Sequence, residues 1–310
     1  MVWDSRLIER ALITGGNGVI GSHLADALLA ERCDVILYDI HFNWHTAHAS
    51  SKVLGDVVTC ERLRELVGKV DVVLHLAAVS TVAEAQRDPM ACLRVNVEGT
   101  LSVAQLSAEL GKPFVYASSR EVYGNPEDLP VREDSPKNPL SIYGTSKLAG
   151  ELLLNNLRRT QNLKYLIIRL SNVFGSTRDI PTRVIPRFVR SALDGAPLTV
   201  FGGEQVLDFT FIDDVVQNVM GLLDRIDRIE GEDYNLASGR GISVVDLAQT
   251  VRELTGSSSE VAKTSGRAFD VERFIGDATK ARKLLGEEYS SLDFQRALEI
   301  YVQRVRESTD

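Results

Sequence analysis

Four glycines crowd into the segment Thr14-Gly15-Gly16-Asn17-Gly18-Val19-Ile20-Gly21, between the apolar run 10–14 and a stretch with helical spacing. A short buried strand, a glycine turn and a helix, in that order, leave few folds open. Glycines at 15, 18 and 21 let the chain turn tightly and let backbone N–H groups approach an anion. They also let the helix lie close to the sheet with its positive end facing that anion. A glycine pattern alone is weak, because loops between elements also use glycine. Asp39 strengthens it, lying 18 residues beyond Gly21 at the end of the next apolar run. An acid there accepts hydrogen bonds from a ribose. The pattern predicts a dinucleotide site built from Gly15, Asn17, Gly18, Val19, Ile20, Gly21 and Asp39. Neither Arg nor Lys follows Asp39 directly, so a 2′-phosphate would meet a carboxylate and no cation. NAD is therefore expected rather than NADP.

The alternation of elements extends the argument. Short apolar runs at 10–14, 34–38, 70–76, 114–117 and 165–169 read as strands, and 22–31, 61–67, 90–110 and 143–160 read as helices. Buried strands separated by helices predict a doubly wound α/β domain with a parallel sheet, a Rossmann arrangement. From about residue 172 the pattern loosens around Pro181 and Pro186. Asp213 and Asp214 read as the cap of a helix running to about Arg225, and 234–237 as a strand. Ser243 caps a helix stopping at Gly256, and Asp277 caps one stopping at Gly286. We expect a cofactor domain over 1–171, with 212–237 returning to it, and a smaller α/β substrate lobe over 172–211 and 238–310.

Composition removes other classes. The chain has 310 residues and a formal charge of -8, which argues against nucleic-acid binding. No run approaches the 18 apolar residues of a membrane span. The N-terminus lacks a signal-peptide core, and Cys33, Cys60 and Cys92 are scattered without CxxC spacing. The expected location is cytoplasmic, with reduced thiols. His41, His45 and His48 share helical spacing, yet no carboxylate or cysteine joins them. They read as a solvated loop, and no metal site is expected.

Tyr143 and Lys147 stand four residues apart on one helix, downstream of a strand ending Tyr116-Ala117-Ser118-Ser119. Ligands of open α/β sheets bind at the carboxyl ends of strands. A tyrosine titrates near pH 10 when unperturbed. A neighbouring ammonium and a positive nicotinamide ring both favour phenolate. Tyr143 could then take a proton from a substrate hydroxyl while Ser119 holds that oxygen and hydride leaves the same carbon.

Further segments occur in order: GDV at 55–57, HLAA at 75–78, NVEGT at 96–100, SSREVYG at 118–124, YGTSK at 143–147, RLSNVFG at 169–175, DFTFIDDV at 208–215 and YNLASG at 234–239. Over nearly its whole length the chain resembles the extended short-chain dehydrogenase/reductase family, in its nucleotide-sugar epimerase/dehydratase branch. The resemblance implies that Asp56 and Val57 meet the adenine, and that Leu76, Ala77, Ala78 and Asn96 line the cofactor. It implies catalytic roles for Ser119, Tyr143 and Lys147, the last two also touching NAD. A nucleoside-diphosphate sugar would be held by Asn172 and Arg267 at its diphosphate and by Phe201 near its base. Ser119, Arg120 and Glu121 would face the sugar. Helices over 90–110 and 143–160 resemble those forming a homodimer's four-helix bundle.

The branch runs several reactions from one 4-keto sugar. A 4-epimerase returns hydride to the opposite face, a dehydratase needs an acid and a base at C5 and C6, and a decarboxylase loses a C6 carboxylate. Dehydratases of the branch typically carry Asp-Glu after the serine, where this chain has Arg120-Glu121. The acid is missing, and YGTSK and NVFG look more like epimerases. An NAD-dependent 4-epimerase is therefore expected, with a decarboxylase or other lyase using Glu121 as the alternative. An NAD sensor without turnover would be expected to lose the Tyr/Lys pair. Arg120 either pairs with Glu121 or another surface acid, or meets a polar or anionic sugar substituent such as a carboxylate. At Leu207 the family usually has an arginine on the diphosphate; Arg267, Arg187 or Arg190 would have to compensate.

Overall fold

Residues 8–43, 49–60, 62–266 and 271–308 are described by the computed structural model. The chain runs β1 (Arg10–Thr14), α1 (Val19–Ala30), β2 (Asp34–Asp39), β3 (Ser51–Leu54), α2 (Leu63–Gly68), β4 (Val72–His75), α3 (Val82–Arg87) and α4 (Pro89–Leu93). Next come α5 (Thr100–Glu109), β5 (Phe114–Ser119), α6 (Ile142–Gln161), β6 (Tyr165–Leu170), β7 (Asn172–Phe174), α7 (Val184–Leu193), β8 (Leu198–Phe201) and β9 (Val206–Phe211). Then follow α8 (Ile212–Leu223), β10 (Glu232–Leu236), β11 (Gly241–Ser243), α9 (Val244–Thr255), β12 (Val261–Thr264), α10 (Thr279–Leu285) and α11 (Phe294–Glu307).

Seven strands form the main sheet in the order β10-β6-β5-β4-β1-β2-β3, and every pairing from β3 to β6 is parallel. This is the doubly wound Rossmann-like α/β fold expected from the alternation. The strand order reverses between β1 and β4, so the turns after these two strands flank the switch point where such sheets take ligands. β4 and β6 are buried along their whole length, as strands covered on both faces must be.

Several local features depart from the predicted pattern. α1 starts at Val19, three residues before the predicted Ser22, because Gly18 already provides an extended N-cap. β3 was not predicted; only Val53 of its four residues is buried, too little for an apolar signature. The predicted helix over 90–110 is α4, a π-helical turn over Arg94–Gly99, and α5. Wide turns of this kind are frequent at functional sites. Asp213 and Asp214 lie inside the first turn of α8 rather than capping it. Their carboxylates are used elsewhere, Asp213 by Arg304 and Asp214 by Ser290 and the Leu292 N–H.

The chain divides into two compact units. The first comprises 1–124, 137–170 and 216–234; its core lies beneath α5 and α6 and includes Leu12, Tyr38, Phe114, Tyr116 and Leu154. The second comprises 125–136, 171–215 and 235–310. It contains the sheet β11-β9-β7 and the pair β12-β8, with Phe174, Phe209, Phe211, Phe294 and Tyr301 packed ring against ring. The predicted caps of α9 are present: Ser243 Oγ accepts the Asp246 N–H and Gly256 closes the helix at φ 69°. The N-cap of α10 is Ala278 rather than Asp277, whose Oδ1 accepts the Thr279 N–H from one residue further out.

Candidate active site

The glycine turn leaves β1 with no room for side chains. A Cβ on Gly15 would lie 2.6 Å from the Ala77 nitrogen, and one on Gly21 would lie 2.5 Å from the Gly15 carbonyl oxygen. Gly15 also holds φ at +71°, a conformation that favours glycine. Gly18 caps α1 without any side-chain hydrogen bond, so the helix presents backbone N–H groups and its positive end to an anion. Asp39 Oδ2 accepts the Asn17 N–H at 2.9 Å, and Oδ1 accepts the Ile40 N–H at 2.8 Å. Two backbone donors thus aim the carboxylate at the turn and leave it acceptor capacity for a ribose. The Asn17 side chain is tied to His41 Nε2 at 3.0 Å and to the Asn43 N–H at 3.2 Å.

Around this cradle, Tyr38 donates its hydroxyl to the Asp56 carbonyl at 3.1 Å, and Asp56 Oδ1 accepts the Val58 N–H at 2.9 Å. Val57 is buried against Gly99. Leu76, Ala77 and Ala78 emerge half-buried from the end of β4. Asn96, placed on the π-helical turn, is fully buried and its amide is spent inside the protein. Oδ1 accepts the Val79 N–H at 2.8 Å, while Nδ2 donates to the Val79 carbonyl at 3.1 Å and to Ser146 Oγ at 2.9 Å. It therefore clamps the loop after β4 to α6. The residues present fit a dinucleotide: a cradle that any Cβ would fill, a free helix N-terminus and an acid aimed at the ribose position.

The residues expected to carry the chemistry come from β5 and α6. Ser141 caps α6 through the Gly144 N–H at 3.0 Å, fixing Tyr143 in the first turn. Gly144 lets that turn approach the chain after β5; a Cβ there would lie 2.5 Å from the Glu121 carbonyl oxygen. Lys147 follows one turn later, its Nζ donating to the Ala117 carbonyl at 2.8 Å and lying 6.0 Å from the centre of the Tyr143 ring. Burial drives the Lys147 pKa down to about 8, against the upward pull of Cys92 and Glu151. Ser119 ends β5, 8% exposed, with its Oγ accepting the Glu121 N–H at 3.2 Å. Beneath them lies His75, its Nδ1 2.8 Å from Thr14 Oγ1 and its Nε2 3.0 Å from Thr100 Oγ1. Burial, then Lys147, pushes the His75 pKa down to about 3.

Arg120 and Glu121 form an ion pair at 2.7 Å, their side chains 10% and 9% exposed. This is the first of the two arrangements the sequence left open for Arg120. The second oxygen of Glu121, Oε2, is buried with no hydrogen-bond partner in the protein.

Arg169 and Glu151 had no role in the sequence reading, and the structure joins them below α6. The Arg169 Nε and Nη2 donate to Glu151 Oε1 and Oε2 at 2.8 and 2.9 Å, and Nη1 donates to the Tyr123 hydroxyl at 2.9 Å. Ser118 Oγ donates to Glu151 Oε1 at 2.6 Å. A charge inside the apolar strand run YLIIRL was the available signal, since a buried arginine must have acidic partners.

The second unit carries the other expected contacts. Asn172 Nδ2 donates to the Asp208 carbonyl at 2.8 Å, and Leu207 stands on β9. Arg187 donates to the Thr199 carbonyl at 3.0 Å with its guanidinium 5.2 Å from the Phe201 ring. Arg190 is exposed on α7. Arg267, His45 and His48 lie outside the described residues. Among the described residues, no group of three His, Cys, Asp or Glu side chains could hold a metal ion, and no helix is long and apolar enough to cross a membrane.

Comparison with known proteins supplies independent findings. The family model described as "NAD dependent epimerase/dehydratase family" matches residues 11–237. UDP-glucose 4-epimerase of Lactobacillus helveticus is 29% identical over 300 residues, covering 89% of this chain and 91% of the relative. UDP-glucuronic acid decarboxylase 4 of Arabidopsis thaliana is 30% identical over 296 residues, covering 91% of this chain and 66% of that longer relative. The crystal structure of a Thermotoga maritima UDP-glucose 4-epimerase with UDP-glucose superposes with a TM-score of 0.90 at 29% identity, covering 97% of this chain and 100% of that one.

Proposed function

The chain belongs to the NAD dependent epimerase/dehydratase family, and from that membership we propose that it is a nucleotide-sugar 4-epimerase acting on a neutral sugar. NAD, the cofactor of the family, is held by the glycine turn 15–21 and Asp39, with Asp56, Val57, Leu76, Ala77, Ala78 and Asn96 around it. When bound, it supplies the hydride acceptor and later the hydride donor. Tyr143, as phenolate, accepts the proton of the sugar 4-hydroxyl, and Ser119 holds that oxygen by a hydrogen bond. Lys147 stabilises the phenolate by its charge. After the ketone has presented its other face, Tyr143 gives the same proton back to the oxygen. Protons and hydride balance over the cycle, and the product is the C4 epimer. Asn172, Phe201 and Arg267 of the second unit are assigned to the nucleotide. Arg187, beside Phe201, takes part of the charge that Leu207 lacks.

The state of Glu121 carries the choice of epimerisation over the lyase reactions. Elimination needs a base and an acid, but Arg120 occupies the acid's place and cannot give up a proton near neutral pH. It also engages one Glu121 oxygen at 2.7 Å. Decarboxylation requires a substrate carboxylate, and the Arg120–Glu121 pair already balances its own charge. A further buried anion beside it would go uncompensated. The open Oε2 of Glu121 instead suits a hydroxyl donor. Incubating the purified protein with uridine-, thymidine-, guanosine- and cytidine-diphosphate sugars, neutral and uronic, and identifying products by NMR tests the assignment. A C4 epimer of a neutral sugar is expected. A pentose product from a uronic acid, or a 4-keto-6-deoxy product, would replace it with the corresponding lyase.

We further propose a homodimer formed through the helical layer of α4 to α6. Leu152 on α6 and Met90 on α4 are 62% and 67% exposed, large apolar side chains that a second copy would cover.

A further inference from the structure

Glu151 shares the face of α6 that carries Tyr143 and Lys147, at successive four-residue steps. A carboxylate there works against a tyrosine base, because its field disfavours the phenolate. Arg169 meets it with both oxygens engaged, and the two side chains are 4% and 3% exposed. The guanidinium also reaches Tyr123, which follows the Arg120–Val122 turn, and Asp233 at 2.5 Å. Through Ser118, Glu151 grips the residue next to Ser119. One arginine on β6 thus ties together the end of β5, the turn after it and the helix bearing the base.

We propose that the Arg169–Glu151 pair is a positioning and charge-balancing device for the catalytic helix: Glu151 anchors α6 to β5 and β6, and Arg169 cancels the negative charge that this anchor would otherwise place beneath Tyr143. The pair touches neither cofactor nor substrate; it acts through Tyr143, Lys147 and Ser119.

The other charged and titratable groups packed around this face are His75 on β4, Cys92 on α4, Tyr116 on β5, and Arg120 with Glu121 in the turn. His75 stays neutral under its burial. Burial, and after it Glu151, holds the Tyr116 hydroxyl well above its usual range. Cys92 is raised chiefly by burial, so it too adds no charge near neutral pH. Arg120 and Glu121 offset each other. Asp233, 29% exposed, is a second carboxylate on the Arg169 guanidinium, and Lys137 lies on the same cleft; the buried part of the balance around Tyr143 and Lys147 is that between Glu151 and Arg169.

This inference rests on Tyr143 as the base, but its test needs no sugar. The near-ultraviolet phenolate absorbance of the NAD-loaded protein is titrated, and each protein is subtracted from its Tyr143→Phe counterpart. Two helical turns separate Glu151 from Tyr143, about 12 Å, where one unbalanced charge moves a titration by roughly 0.5–1 pH unit. In Glu151→Gln one buried negative charge is lost while Arg169 keeps Asp233, and the Tyr143 titration is expected to move down. In Arg169→Met, Glu151 is left in excess and the titration moves up; the double variant returns towards the wild type. A purely structural role would lower turnover without opposite shifts. Equal-signed shifts, or an unmoved titration in Glu151→Gln, would overturn the proposal. If Arg169→Met does not fold, the near-isosteric Glu151→Gln and the double variant carry the test alone. Loss of the epimerase assignment with the opposite shifts intact would separate the two conclusions.

Discussion

Lys147 bears a charge in a place that disfavours charge. With its pKa drawn down to about 8 by burial, the folded protein releases the lysine proton before the unfolded chain does, near pH 10.4. Between those values the unfolded state binds more protons, so this residue makes stability rise with pH across that window. Catalysis runs the other way. Deprotonated Lys147 no longer stabilises the Tyr143 phenolate, and kcat/KM is expected to fall above about pH 8. A pH–rate profile checks this; a flat profile to pH 10 would remove Lys147 from the role. Tyr143→Phe is expected to lose roughly 100- to 10,000-fold in turnover while keeping NAD affinity, measured by calorimetry. His75 gives a stability signature of opposite placement. Its folded pKa of about 3 lies below the ordinary 6.5, so below that value the unfolded chain takes up a proton the folded protein refuses. Stability therefore declines as pH falls through 6.5 towards 3, by up to about 1.4 kcal/mol per pH unit. Urea unfolding at successive pH values should show that slope, and His75→Asn should flatten it.

At the scale of elements, α6 is placed by what it lacks. Gly144 brings its first turn against the Glu121 carbonyl, and at Gly150 a Cβ would lie 2.3 Å from the Tyr116 hydroxyl. Gly144→Ala must push the helix from the turn or the turn from the helix, a crowding that typically costs about 1–3 kcal/mol. Its expected outcome is a lowered melting temperature together with lowered turnover. Gly68→Ala, in a helix and with nothing within 4 Å, serves as the control that lowers neither. Contacts of this kind explain which parts of the site were legible in sequence. The glycine turn, Asp39 and the Tyr143–Lys147 step are local: each is a spacing within one or two elements, and spacing is what a sequence displays. The Ala117 carbonyl that receives Lys147 is 30 residues away. Arg169 reaches Glu151 across 18 residues and Tyr123 across 46. Those partners exist only once β5 and β6 lie side by side. The π-helical turn escaped for a related reason: an apolar period over 90–110 reads the same with or without one widened turn, and packing of Gly99 against Val57 is a tertiary demand.

For the whole molecule, the charge of -8 sets a long-range field against anionic ligands. The local means proposed to overcome it are the N-terminal end of α1 and a few arginines, short-ranged and only partly screened. The same surface bears on assembly. Strong net charge keeps copies apart unless a patch of apolar area outweighs it, and α6 supplies a place for one. Its outward residues Leu148 and Leu152 stand with Tyr165 and Ile167 on a cleft of about 220 Å³ whose other lining is polar, with Lys137, Glu151, Arg169 and Asp233 among it. Leu152 stands 62% exposed, an arrangement that loses apolar surface to water unless covered. Leu152→Asn puts a polar amide at that spot and adds no charge beside Glu151 and Arg169, which line the same cleft. The wild type is expected to run as a dimer by light scattering coupled to size exclusion. The variant should run as a monomer with its Tyr143 titration unchanged. A wild-type monomer would dispose of the dimer while leaving the active-site assignment standing, because every residue given a role in the chemistry belongs to one copy of the chain.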